Sequence, residues 1–176
     1  KEGFDIVIGN PPYIGEKGHK EIFQPVKSDI HLGQYYLGKM DYFYFFFHLA
    51  FNMLSPHGVA TFITTNYYPT ALGARRLRAD IKDRMSIKTL FNLGELRLFE
   101  NAPGQHNMIS SFAKGKDGCK CQVIDVHKKG ALNPIMFTSI INHIDEDSTY
   151  ADIVQEDLYD GEENYIRLQN SNGDNP

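Results

Sequence analysis

No apolar run in the sequence is long enough to cross a bilayer, and only two of its 176 residues are cysteine. A membrane-spanning helix needs about 20 mostly apolar residues, so we expect no membrane partner. Cys119 and Cys121 are separated by one residue, whereas zinc sites usually have wider pairs and more ligands, so we expect no metal site. Two ordinary thiols and the lack of a signal peptide favour a cytoplasmic protein.

The glycine-rich loops that bind nucleotide cofactors are also missing, because neither a G-x-G-x-x-G nor a Walker sequence occurs. Such a loop normally follows the first strand of a nucleotide-binding sheet. Here residues 1–3 lead directly into a strand of the buried type. The chain has the length of about one domain, yet we expect it to be a piece of a larger protein.

Charge is unevenly distributed along the chain, although the net charge is only −4. Residues 1–140 carry a net charge of +5, whereas residues 141–176 contain ten acidic residues and one arginine, a net charge of −9. The first part is therefore compatible with nucleic-acid phosphate, and the last part would be repelled by it. We interpret the acidic end as a solvated linker.

The most informative segment lies at the start of the chain. Residues 6–8 form a continuous apolar run, which is typical of a strand buried on both faces of a parallel sheet. The strand ends at Gly9, and the sequence Asn-Pro-Pro-Tyr follows at residues 10–13. Because ligands of open α/β sheets bind at the carboxyl ends of the strands, this position indicates a functional site.

The residue types in this tetrapeptide suit one chemical group, a planar exocyclic amine such as N6 of adenine. The side-chain oxygen of Asn10 and the carbonyl oxygen of Pro11 are two acceptors for the two N–H donors of the amine. The ring of Tyr13 offers a stacking surface for the base. A turn that simply ends the strand is the alternative, since Asn and Pro are common in turns.

Further along, strands and helices alternate, which predicts an α/β fold. Residues 14–40 show little periodicity and are predicted to form a long loop with one short helical turn. Helices are predicted at residues 42–54, 71–85 and 133–144, and strands at residues 59–64, 87–93, 107–113 and 121–126. The last strands predict an antiparallel hairpin at the end of the sheet.

Basic residues occur in two of these elements. Lys17 and Lys20 lie in the loop, and Arg75 and Arg76 lie near the start of the helix at residues 71–85. Each pair is a candidate for contacts with DNA phosphates, and solvated surface charge is the alternative.

The Asn-Pro-Pro-Tyr segment resembles the catalytic motif of amino-group methyltransferases, and residues 4–114 resemble the adenine-N6 DNA methyltransferases of restriction–modification systems. The resemblance implies a partial Rossmann-like fold that depends on S-adenosylmethionine, with the catalytic-side half of the sheet in residues 1–130. It implies that Asn10, Pro11, Pro12 and Tyr13 are catalytic and that the backbone of Pro12 lies beside the cofactor. Residues 93–100 resemble the loop that supplies a second aromatic residue, which makes Phe99 the partner of Tyr13.

The same resemblance implies that double-stranded DNA is the substrate and that adenine is flipped out of the duplex. The cofactor-binding half, a target-recognition domain and, in single-chain enzymes of this group, a nuclease are expected elsewhere in the polypeptide. Residues 131–176 are then a helix and an acidic linker toward a following domain.

Three alternatives remain at this point. Methyltransferases that modify a protein glutamine share the Asn-Pro-Pro-Tyr sequence and its chemistry, and an adenine in RNA is a further possible substrate. The third alternative is an inactive binding or structural fragment, which is what we expect of residues 1–176 in isolation.

Overall fold

A six-stranded mixed sheet organises the computed structural model, which describes residues 3–99, 105–116 and 118–169. The strands are β1 (Phe4–Gly9), β2 (Leu54–Thr65), β3 (Met85–Gly94), β4 (Leu96–Arg97), β5 (Asn107–Lys114), β6 (Lys120–Val126), β7 (Gly130–Ala131), β8 (Ser148–Val154), β9 (Tyr159–Asp160) and β10 (Tyr165–Ile166). The helices are α1 (Lys20–Ser28), α2 (Phe43–Met53), α3 (Arg75–Arg84) and α4 (Pro134–Ile141).

In the main sheet the strand order is β1, β2, β5, β3, β6, β8. β1 runs parallel to β2 and β3 runs parallel to β6, while β5 lies antiparallel between β2 and β3. β8 is antiparallel to β6. The carboxyl ends of β1, β2, β3 and β6 therefore meet at one edge of the sheet, and β5 and β8 begin at that same edge.

These elements confirm the predicted α/β fold class. β3 and β5 are antiparallel neighbours, as in the predicted hairpin, but they lie inside the sheet, and the antiparallel strand at its end is β8, which was not predicted. The strands predicted at residues 59–64, 87–93, 107–113 and 121–126 are β2, β3, β5 and β6. The predicted loop at residues 14–40 contains α1, a longer helix than the single turn expected, and it buries Phe23 and Val26 against the core. No helix within the described residues is both long and apolar enough to cross a membrane.

The aromatic residues of α2 form the centre of the core. The ring of Phe47 is fully buried and stacks on Phe62 of β2, with a centroid distance of 4.6 Å. It also contacts Phe112 of β5 at 5.4 Å and Tyr68 of the segment after β2 at 5.5 Å. One helix thereby packs against two adjacent strands and the segment that leaves the carboxyl edge, which orients that edge relative to α2.

The apolar run in β1 was predicted to be buried on both faces, and this prediction is wrong for the described residues. Ile6 is 69% exposed and Ile8 is 78% exposed. Both side chains lie on the face of the sheet opposite α2, because they pair in register with Val59 and Thr61, whereas Phe62, which α2 covers, pairs with Gly9. On the other face of β1, α2 is apolar too, with Phe46, Leu49 and Met53 partly exposed.

The acidic end was predicted to be a linker within residues 131–176, and the structure corrects this for the residues that it describes. β8 pairs along its whole length with β6, and the backbone N–H of Ile166 donates to the carbonyl of Pro69 at 3.0 Å. Residues 170–176 lie outside the described part. The acidic residues occur among apolar ones that face the core: Ile153, Leu158 and Ile166 are buried. Net charge alone does not reveal this alternation.

Arg78 ties this C-terminal part to the edge of the sheet. Its side chain is buried and donates to the carbonyl oxygens of Tyr68 and Ala71 at 3.0 and 2.6 Å. A further bond of 3.0 Å goes to the carbonyl of Glu163, and the guanidinium carbon lies 4.7 Å from the ring centroid of Tyr165. A single side chain from α3 thus holds the segment after β2 and the segment before β10.

We expect Arg78→Met to loosen the segment that follows β2. Each buried acceptor left unpaired costs about 1–3 kcal/mol, so amide exchange in residues 66–74 should accelerate by about 10-fold or more. Hydrogen–deuterium exchange of the full-length protein measures this change. Arg75→Met is the matched control, because Arg75 forms an exposed ion pair on the same helix and should leave these amides unaffected. Equal effects of the two variants would contradict the assignment.

Candidate active site

The tetrapeptide at residues 10–13 lies directly after β1, at the carboxyl edge of the sheet. Asn10 and Pro12 are exposed, Pro11 is buried and Tyr13 is half-buried. The two prolines line a groove of about 390 Å³ between the end of β1 and the apolar surface of α2. The predicted position of these residues at a strand end beside a concave surface therefore agrees with the geometry.

The hydroxyl of Tyr13 connects the tetrapeptide to the sheet. It lies 2.8 Å from Oδ1 of Asn10 and 3.1 Å from the carbonyl oxygen of Ile63, near the end of β2. Burial raises the pKa of Tyr13 above its ordinary value, and a hydrogen bond from the side chain of Asn107 opposes that rise. The hydroxyl therefore stays protonated at neutral pH and is an available donor to Asn10.

The ring of Tyr13 packs edge-on against Phe43, the first residue of α2, with a centroid distance of 6.2 Å and an interplanar angle of 74°. This contact supports the ring from one side. Because Tyr13 is only half-buried, part of the ring remains accessible. Aromatic support of this kind limits the motion of a ring that is held at its hydroxyl end as well.

Asn107 was not singled out from the sequence. It is the first residue of β5, it is only 1% exposed, and its Nδ2 lies 3.4 Å from the carbonyl oxygen of Thr64. A signal was present, because a strand inserted antiparallel begins where its parallel neighbours end. The first residue of the strand predicted at 107–113 was therefore bound to lie at the site edge.

A second group of amides occupies the same edge beyond β5. Nδ2 of Asn66 donates to Oδ1 of Asn92 at 2.9 Å, and Nδ2 of Asn92 donates to Oδ1 of Asp125 at 2.7 Å. The backbone N–H of Gly94 also donates to Oδ1 of Asn92, at 3.3 Å. These bonds link the ends of β2, β3 and β6, and within the described residues they are separate from the bonds around Tyr13.

Phe99 is not in contact with Tyr13 in this conformation. It lies half-buried two residues after β4, and the described residues include no ring contact between the two side chains. The short strand β4 pairs with β7, which anchors the start of this segment through the buried Leu96. Residues 100–104, which continue the segment, lie outside the described part of the chain.

Lys17 and Lys20 are exposed and line a cavity of about 540 Å³ beside the tetrapeptide. Lys39 lies at the same cavity, together with the carboxylates of Glu16 and Asp41. The walls are held together by backbone hydrogen bonds between the segment that follows Tyr13 and the segment that precedes α2. The two predicted lysines therefore lie near the candidate site and are accessible from solvent.

Arg75 and Arg76, in contrast, already have partners within the chain. Arg75 forms an ion pair of 3.0 Å with Glu163. The Nη1 atom of Arg76 donates to the carbonyl oxygens of Gln34 and Tyr36, at 2.6 and 2.5 Å. Both side chains would have to break or share these bonds in order to reach a phosphate group.

Comparison with known proteins identifies the family of the chain. Residues 1–99 match the Eco57I restriction-modification methylase family. The type II methyltransferases M.HincII and M.HindII, both from Haemophilus influenzae, are each 26% identical to the chain over 133 residues. The alignment covers 75% of this chain and 26% of each relative, so the chain spans about a quarter of the length of these curated relatives.

Solved structures share the fold at low sequence identity. The M protein of the type I restriction enzyme EcoKI has a TM-score of 0.65 and 12% identity, covering 100% of this chain and 45% of that one. A type I methyltransferase subunit from Streptococcus thermophilus has a TM-score of 0.63 and 18% identity, covering 94% and 37%. LlaGI, a type ISP restriction-modification enzyme solved with a DNA substrate mimic, has a TM-score of 0.58 and 17% identity, covering 93% and 18%.

These likenesses confirm the Rossmann-like methyltransferase fold that the sequence predicted. They also agree with the resemblance carried by residues 10–13, because the family match includes that tetrapeptide. Since the match extends over residues 1–99, more than half of the 176 residues, the chain belongs to the Eco57I restriction-modification methylase family.

Proposed function

We propose that this chain is the catalytic-side half of a DNA methyltransferase domain that methylates N6 of a flipped-out adenine. The observation that carries the proposal is the Asn-Pro-Pro-Tyr segment at the carboxyl end of β1, beside a groove and within the family match. The solved relative LlaGI was captured with a DNA substrate mimic, which supports DNA as the substrate class.

The exocyclic amine of adenine is held by two acceptors in this proposal. Oδ1 of Asn10 has two lone pairs, and the hydroxyl of Tyr13 takes one of them. The other lone pair accepts from one N–H of the amine, and the carbonyl oxygen of Pro11 accepts from the second. These bonds draw the nitrogen lone pair out of conjugation with the ring, which makes the nitrogen a better nucleophile.

Stacking holds the base itself. A base within a duplex cannot reach a groove of this kind, so the adenine must leave the helix, and stacking on Tyr13 offsets part of the cost of unpairing. Phe99 covers the opposite face of the base in this proposal. No ring contact joins the two side chains among the described residues, so Phe99 has to move toward Tyr13 when the base enters.

S-adenosylmethionine supplies a methyl group on a sulfonium centre. The described residues fit one side of this cofactor, where the exposed Pro12 lines the groove between β1 and α2. The sequence contains no glycine-rich loop for the other side. We assign that loop to the rest of the full-length protein, which would cover the exposed apolar side chains at this edge, Ile6 and Ile8 on one face of β1 and the partly exposed residues of α2 on the other.

Within this arrangement the chain contributes positioning and electrostatics and forms no covalent bond with the substrate. Asn10 and Pro11 orient the amine, and Tyr13 fixes the base plane. A target-recognition domain and, in a single-chain enzyme, a nuclease belong to the remaining part of the protein. The restriction–modification family of the chain favours DNA over a protein glutamine or an RNA adenine as the substrate.

The missing cofactor loop gives a first test. Residues 1–176 alone should show no saturable binding of S-adenosylmethionine in calorimetry, whereas the full-length protein should bind it. A dissociation constant at or below about 100 μM for the isolated chain, a binding free energy of about −5.5 kcal/mol, would contradict the division of the cofactor site.

Charge near the site gives a second test. Replacing Lys17 and Lys20 by Gln in the full-length protein should flatten the salt dependence of DNA affinity, by about 0.9 in the log–log slope for each phosphate that is no longer neutralised. The matched control replaces Arg75 and Arg76 by Gln, because both arginines are engaged within the chain. If the arginine variant flattens the slope and the lysine variant does not, the phosphate path lies along α3.

The chemistry gives a third test. Asn10→Ala removes an acceptor from the reacting amine, so single-turnover methylation by the full-length protein should slow by on the order of 100-fold. DNA affinity should change little, because most of it comes from phosphate contacts. Tyr13→Ala should instead weaken base capture, because stacking on an aromatic ring contributes about 1–3 kcal/mol, and 2-aminopurine at the target position measures this change. Intact turnover by Asn10→Ala would exclude the proposed reaction at this site.

A further inference from the structure

Lys39 has a strained backbone close to the candidate site. Its φ angle is +52°, in the left-handed region that residues other than glycine rarely adopt. Within the described ranges His143 and Asn164 also have positive φ, and both belong to residue types that are enriched in this region. Strain of this kind persists only where the surrounding structure fixes the backbone, and it is frequent at functional sites.

Neighbouring segments fix the backbone of Lys39. Gly73, which lies just before α3, packs so closely that an added Cβ atom would lie 2.0 Å from the carbonyl oxygen of Lys39. The next residue, Met40, is buried, and its carbonyl oxygen accepts from the backbone N–H of Glu16 at 2.8 Å. Lys39 is therefore held between the segment that follows the tetrapeptide and the segment that leads into α3.

The side chain of Lys39 is available for a ligand. It is exposed, and the described residues include no hydrogen bond or ion pair of its ammonium group. It lines the cavity of about 540 Å³ that Lys17 and Lys20 also line. Three lysines from different positions along residues 14–40 thus meet at one concave surface.

Two carboxylates line the same cavity, and each already accepts a hydrogen bond from a tyrosine hydroxyl. Tyr36 donates to Glu16, and Tyr44 donates to Asp41 at 3.2 Å. The three lysines and two carboxylates together give the cavity lining a net charge of +1. An anion is therefore favoured over a cation as the ligand.

We propose that this cavity binds one DNA phosphate group next to the target adenine, and that Lys39 is one of its ligands. This inference rests on the proposed function, in which the adenine stacks on Tyr13. Gly15 lines the cavity and is two residues from Tyr13, a separation that spans at most about 7 Å. Because a base is joined to its phosphate groups through a single sugar ring, a base on Tyr13 brings one of these groups to the cavity.

A methylphosphonate linkage removes the charge of one chosen phosphate group and tests this contact in the full-length protein. Lys39→Gln should weaken binding of unmodified DNA by about 5-fold or more. At one of the two linkages that flank the target adenine, methylphosphonate should weaken wild-type binding by a similar factor. On that DNA, Lys39→Gln should cause less than about 2-fold further loss, because protein and DNA then lack the same contact. Equal losses on unmodified DNA and on both modified DNAs would overturn the inference.

Lys120→Gln is the matched control for the change in charge. Lys120 is exposed and is the first residue of β6, so it lies at the opposite edge of the sheet from the tetrapeptide. Its substitution should change the affinity for each DNA by less than about 2-fold. If Lys120→Gln weakens binding as much as Lys39→Gln, the effect comes from the overall charge of the protein and the inference fails.

Gly73→Ala tests the position of Lys39 without changing any charge. The φ angle of Gly73 lies outside the left-handed region, so the main effect of the added methyl group is to displace the backbone of Lys39. Binding of unmodified DNA should weaken as it does for Lys39→Gln, and wild-type affinity would overturn the inference. If Gly73→Ala does not fold, Lys39→Gln decides the question, because Lys39 is exposed. Full activity of Asn10→Ala would instead contradict the proposed function, so the two failures can be distinguished.

Discussion

The candidate site depends on the antiparallel insertion of β5 between β2 and β3. The ends of β1, β2 and β3 lie at one edge of the sheet, but the polypeptide continues from each of these strand ends into a different segment. β5 begins there, so Asn107 is held on both sides by strand pairing. The first residue of β5 is therefore a rigid part of the edge at which the tetrapeptide lies.

Tyr13 links two kinds of surface at the candidate site. Its hydroxyl faces the polar ends of the strands, and its ring faces the aromatic interior that α2 brings to the edge. The tight core around Phe47 therefore contributes to the geometry of the site, because α2 carries the ring that supports Tyr13. Packing and hydrogen bonding constrain the same residue from opposite ends.

The fold brings together acidic and basic residues that are far apart in the sequence. The acidic C-terminal part returns to the basic helix α3, where Glu163 pairs with Arg75 and the carbonyl of Glu163 accepts from Arg78. Arg75 and Arg78 are therefore engaged by partners within the chain. Lys17 and Lys20 beside the tetrapeptide remain exposed and accessible from solvent.

The strands β2, β3, β5 and β6 and the helices α2 and α4 were predictable because hydrophobic periodicity is a local property. The same holds for the placement of Asn10 and Tyr13, since a strand end next to a turn is visible in the sequence. Family membership likewise followed from a short motif in its context, and the match to residues 1–99 confirmed it.

Tertiary structure decided the rest, because burial and hydrogen-bond partners depend on pairings between distant residues. The exposure of Ile6 and Ile8 follows from the register of β1, which turns them away from α2, and the folding of the acidic end follows from the pairing of β8 with β6. Asn107 lies 94 positions from Tyr13 in the chain, and only the sheet register brings their side chains to adjacent carbonyl groups of β2, those of Thr64 and Ile63. Local patterns define which elements form, whereas long-range strand pairing defines which side chains act together.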